Sequence, residues 1–62
     1  MCEANAYLIK EKKEELIMKS VDIIEINNDG NYKLTGIFGD QITVKGRLQK
    51  IKLVDHKIIF QK

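Results

Sequence analysis

Cys2 is the sole cysteine of a 62-residue chain that begins at Met1, so its thiol stands beside an α-amine. The thiolate form of cysteine is both a nucleophile and a soft metal ligand. If Met1 is retained, its amine, the deprotonated Cys2 amide nitrogen and the Cys2 sulfur can close adjacent chelate rings on one metal ion. If Met1 is removed, the Cys2 amine and thiolate close a single ring. A small set of nitrogen and thiolate donors suits planar nickel or copper, whereas zinc prefers a tetrahedral set. One chain supplies too few such donors for a closed site, and a two-fold axis would duplicate each of them. The plainer alternative is a cysteine that fills apolar space near a chain end.

The remaining residues offer little catalytic chemistry. His56 is the sole histidine and falls between Asp55 and Lys57 in a predicted turn, where an exposed turn residue is the simpler expectation than a ligand. A Cys–His nucleophile pair would need Cys2 and His56 in contact beside a cleft, which so short a chain is not expected to build. Gly30, Gly36, Gly39 and Gly46 are scattered and form no phosphate-cradling pattern. The expectation is that the protein is not an enzyme.

Lys45, Arg47, Lys50 and Lys52 make the best case for nucleic acid, with Lys45 and Arg47 expected on one strand face. Small barrels hold single strands with basic grooves and stacking aromatics, for which Tyr7, Tyr32, Phe38 and Phe60 are available here. A formal charge of +2 permits such a partner without arguing for one, and a solvated strand face is the simpler explanation.

These residues must be positioned by short strands. One domain spanning residues 1–62 is expected. A chain of this length buries only about 60% of the surface it exposes when unfolded, which makes self-association attractive as a source of stability. Strand patterns begin over Asn5–Lys10, whose mixed sequence suggests partial burial on both faces. Glu11-Lys12-Lys13-Glu14-Glu15 predicts a solvated turn or loop. Val21–Ile26 follows, with the adjacent Ile23-Ile24 pair breaking alternation and suggesting a bulge. Asn27–Asn31 is the strongest turn signal, with Asp29-Gly30 as its hairpin pair. Tyr32 and Leu34, then Ile42, Val44 and Leu48, alternate with polar residues, and Gly46 falls on the inward side where a bend needs it. Ile51 and Leu53 alternate with lysines, and Ile58 and Phe60 complete a last strand after Asp55-His56. The pattern predicts an all-β fold, a small barrel of five or six short strands with its edges closed. No stretch approaches the ~20 apolar residues that span a bilayer. The acidic opening predicts no secretory leader, so a reducing, cytoplasmic location is expected.

Met1-Cys2-Glu3-Ala4-Asn5-Ala6-Tyr7 closely resembles the start of the CooT family of small nickel-binding proteins. Val21-Asp22, Ile37-Phe38-Gly39-Asp40-Gln41 and Leu53-Val54-Asp55-His56-Lys57-Ile58-Ile59 resemble later segments of that family, in order along the whole chain. The resemblance implies a compact SH3-like barrel that forms a homodimer. It implies a Ni(II) site built from the N-terminal cysteines of both subunits, hence Cys2, with Met1 contributing through its amine and its link to the Cys2 amide. It further implies an accessory role in supplying nickel to carbon monoxide dehydrogenase or another nickel-enzyme client. Relatives are also described as RNA-binding, which keeps the basic residues in view. No histidine ligand is implied.

Overall fold

The computed structural model describes residues 3–62, which form one six-stranded sheet. The strands are β1 (Ala4–Lys10), β2 (Lys13–Ile26), β3 (Tyr32–Gly36), β4 (Gln41–Val44), β5 (Arg47–Lys52) and β6 (Lys57–Gln61). Their spatial order is β4-β3-β2-β1-β6-β5, all antiparallel except the pairing of β1 with β6. No helix occurs among the described residues, so none is long and apolar enough to cross a membrane.

The sheet must curl. Laid flat, β4 and β5 would be ~24 Å apart, five strand spacings. Only Lys45 and Gly46 separate Val44 from Arg47 along the chain, a reach of ~11 Å at most. The curl brings opposite walls together: Tyr32 of β3 meets Phe60 of β6 edge to face at 5.3 Å, across two intervening strands. Ala6, Met18, Val21, Leu34, Val44, Ile58 and Phe60 form the buried centre, with Leu8, Ile24, Ile42 and Leu48 packed against it.

The predicted all-β class and strand count therefore hold, but the sheet does not close. β4 and β5 are its two edges. Between those edges, at Gly46, a Cβ would sit 2.8 Å from the Gln61 carbonyl oxygen. That close approach to β6, with which β5 pairs from Arg47 onward, accounts for the inward glycine expected there.

β2 does most of the bending. Its register against β1 slips twice between Ala4 and Tyr7, and its register against β3 slips once between Val21 and Ile23. Each slip is an extra residue on β2, and bulges bend and twist the strand that carries them. The expected bulge near Ile23-Ile24 thus lies one step earlier, and leaves Ile23 exposed while Ile24 packs inward.

The charged run from Glu11 is not a loop. The turn is confined to Glu11-Lys12, and Lys13-Glu14-Glu15 opens β2 with every side chain in solvent. Both turn residues are left-handed (φ 53° and 66°), as a two-residue type I′ hairpin requires. Asn-Gly usually marks that geometry, and its absence hid the hairpin from the sequence. The Asn27–Asn31 turn follows its signal. Asn28, Asp29 and Gly30 form the loop, Gly30 takes φ 85°, and the Asn31 N–H donates to Asp29 Oδ1 at 3.1 Å. Leu53, expected inward, instead projects from a turn after β5.

Two stability outcomes follow from these turns. Replacing Glu11-Lys12 by Asn-Gly relieves two left-handed non-glycine residues and should stabilise the fold by about 1 kcal/mol. Thermal unfolding would register this as a Tm rise of roughly 4–8 °C. Asn5→Ala removes the side-chain acceptor of the Ser20 N–H in a half-buried corner. Urea unfolding should show a loss of about 1–3 kcal/mol, the cost of leaving such a donor unpaired.

Candidate functional site

Three backbone segments meet at the start of β1. The Asn5 N–H donates to the His56 carbonyl at 2.8 Å, and Asn5 Oδ1 accepts from the Ser20 N–H at 3.1 Å. The Ser20 carbonyl in turn accepts from the Ile37 N–H at 3.0 Å. Ser20 lies within the bulged part of β2 and is left-handed at φ 53°, which turns its backbone groups out of the regular ladder. The chain of bonds gathers residues 37–40, between β3 and β4, and residues 53–56, between β5 and β6, at one end of the fold.

Both turns present apolar side chains to solvent. Phe38 is 90% exposed, Val54 91% and Leu53 78%, with Ile37 beside them at 47%. Among the described residues, four of the eight large exposed apolar ones thus fall in two turns tied to one strand end. Single exposed aliphatics need no explanation, but such a concentration marks a surface for association.

Cys2 and Met1, the predicted metal ligands, lie outside the described residues. Their chain enters the sheet through exposed Glu3 and then Ala4, at this same apolar end. His56 is an exposed turn residue, as expected, and is left-handed at φ 54°. What the sequence did not reveal is that its backbone is bonded to Asn5, close along the chain to Cys2. Among the described residues, no three His, Cys, Asp or Glu side chains group to hold a metal ion.

One ionic strap crosses the outer face nearby. Lys57 Nζ on β6 bonds Glu14 Oε1 on β2 at 3.1 Å and passes 5.0 Å from the Tyr7 ring centre on β1. The hydrogen bond and charge of Glu14 raise the Lys57 pKa above its ordinary 10.5, so the lysine stays cationic throughout the neutral range.

The basic residues sit elsewhere. Lys45 and Arg47 do not share one strand, because β4 ends at Val44, Lys45 and Gly46 form the connection, and Arg47 opens β5. Both instead line a broad cleft, together with Gly30, Asn31, Gln49 and Lys62, where β6 finishes. Lys50 and Lys52 continue along β5, and Lys52 is tied to Asp55 at 3.6 Å. None of the four expected aromatics lines the cleft. Phe60 is fully buried, Tyr32 packs on it, Tyr7 lies beneath Lys57, and Phe38 belongs to the apolar end.

The bonding of Asn5 and the exposure of the two apolar turns are the features of this end that sequence patterning missed. A strand asparagine has no distinctive signal, Phe38 reads as a candidate stacking aromatic, and Leu53 as part of a strand alternating with lysines.

Comparison with known proteins agrees with this architecture. The family model described as "CO dehydrogenase accessory protein CooT" matches residues 1–61. Curated proteins supply no match. The crystal structure of a candidate CooT from Carboxydothermus hydrogenoformans superposes with a TM-score of 0.90 at 33% identity, covering 98% of this chain and 97% of that one. The chain belongs to the CooT family of CO dehydrogenase accessory proteins.

Proposed function

We propose that this chain is a homodimeric nickel carrier that delivers Ni(II) to a carbon monoxide dehydrogenase or another nickel enzyme in the reducing cytoplasm. Membership in an accessory-protein family places the chain beside an enzyme rather than among enzymes. The observation that carries the proposal is the apolar end. Phe38, Leu53 and Val54 are exposed in the two turns bonded through Ser20 and Asn5 to the strand start that follows Cys2, and they give a second copy apolar side chains to cover.

Pairing two copies there would bring two N-terminal segments together about a two-fold axis. Each then contributes a Cys2 thiolate and main-chain nitrogen, with Met1 supplying its amine where it is retained. Duplicating a short donor set is the simplest way for so small a chain to complete a nickel site. Nickel is cargo in this account, and thiolate ligands at a chain terminus suit a load that must be both held and surrendered. Oxidation would link or block the two thiols, so the carrier requires a reducing compartment.

A nickel titration under reducing, metal-free conditions tests the assignment through thiolate-to-nickel absorption and stoichiometry. The native protein should saturate near one nickel per dimer, Cys2→Ser should lose the band and the saturable site, and His56→Ala should retain both. Undiminished nickel binding by Cys2→Ser would remove Cys2 from the site. No saturable binding by the native protein would remove nickel from the function.

A further inference from the structure

The free edge of β5 combines three features that the nickel proposal does not use. First, β5 pairs with β6 on one side only, so backbone donors and acceptors along Arg47–Lys52 remain available on the other. Second, a bulge sets which side chains lie outward. Leu48 pairs with Phe60 and Ile51 with Ile58, both members of the central buried cluster, so both turn toward the core face, whereas Lys50 pairs with Ile59, which is buried but outside that cluster. The register slip between Leu48 and Lys50 takes up one extra residue. Arg47, Lys50 and Lys52 consequently share the outward face.

Third, that face carries unmatched positive charge. Lys52 lies directly opposite Lys57 in the ladder, an unfavourable like-charge pair. Each of those lysines turns to a carboxylate elsewhere, Asp55 and Glu14 respectively. Among the described residues, Arg47 and Lys50 have no carboxylate within ion-pair distance, and neither has Lys45 at the approach to the strand. On the inner side of the same edge, Ile51 is half exposed, so the apolar face is as incomplete as the polar one.

We propose that the β5 edge accepts an extended acidic segment of a partner protein as an added strand. Acidic side chains at alternate positions would face Arg47, Lys50 and Lys52, and apolar side chains between them would cover Ile51. Main-chain hydrogen bonds supply affinity in this mode of recognition, and alternate side chains supply selectivity. Lysines on an edge strand also discourage pairing between identical copies, so the same charges would admit an acidic strand and refuse a second β5. Single-stranded nucleic acid is the weaker match, because the adjoining cleft offers no aromatic platform for bases. The edge runs from the cleft at Arg47 to Lys52, where it adjoins the apolar end at Leu53, and the inference does not depend on nickel.

Fluorescence anisotropy on metal-free, reduced native protein tests this with a labelled alternating Glu/Val peptide of about six residues, a typical strand length. Saturable binding should appear, with NMR amide shifts concentrated on residues 47–52. Arg47→Glu combined with Lys50→Glu should weaken binding by about tenfold or more. A peptide N-methylated at alternate positions on its pairing edge should fail to bind, a control that needs no protein variant. Equal binding of the N-methylated peptide would overturn strand addition. Displacement by oligouridine at equal or lower concentration would reassign the face to nucleic acid, and absence of saturable peptide binding would reduce the lysines to edge protection.

Discussion

The bulged corner at Ser20 is the constraint on which the rest of this fold depends. A bulge takes backbone groups out of the ladder, and in a domain this small an unpaired donor in a half-buried corner is costly. Here both orphaned groups find partners. The Ser20 N–H donates to the Asn5 side chain, and the Ser20 carbonyl accepts from Ile37. Those bonds let β2 leave β1 and continue beside β3, so one strand serves two walls of a curled sheet. The Asn5 main chain extends the connection to His56 and the last turn. A local repair of backbone hydrogen bonding therefore assembles an entire end of the molecule.

That assembly divides the surface into two chemistries. At the entry of β1, two turns carry their apolar residues outward, close to the segment that bears Cys2. Where β6 finishes and along β5 the surface carries Lys45, Arg47, Lys50 and Lys62, and the outer side of β5 leaves its backbone unpaired. The two surfaces adjoin where β5 passes from Lys52 into Leu53, so in the proposed carrier role the cargo end and the client edge would be neighbours. The open sheet is integral to this arrangement. Complete closure would have removed the β5 edge, and the chain approaches β6 closely at Gly46 just before that edge begins.

Much of this was legible in the residues. Apolar alternation located the strands, and the Asn27–Asn31 turn and the inward Gly46 followed from conformational rules that glycine and asparagine obey. Other features were hidden because their physics leaves no local mark. The Glu11-Lys12 turn uses two residues that ordinarily avoid the left-handed region, so composition predicted a longer loop. The expected common face of Lys45 and Arg47 failed because one glycine divides two strands that share a hydrophobic rhythm. Pairing of β1 with β6 joins segments far apart in sequence, and nothing in either announces the other. Asn5 escaped notice for the same reason, since its role is defined by partners at Ser20 and His56.

The account turns on a second copy covering the apolar end. Sedimentation equilibrium of the native protein, metal-free and in reductant, tests that claim most directly when run beside Phe38→Asp with Val54→Asp. Both side chains are about nine-tenths exposed, so these changes should spare the fold while placing charges in the proposed interface. The account predicts a native dimer at micromolar concentration and a folded monomer for the variant. A monomeric native protein, or a variant that dimerises as well as the native, would contradict it.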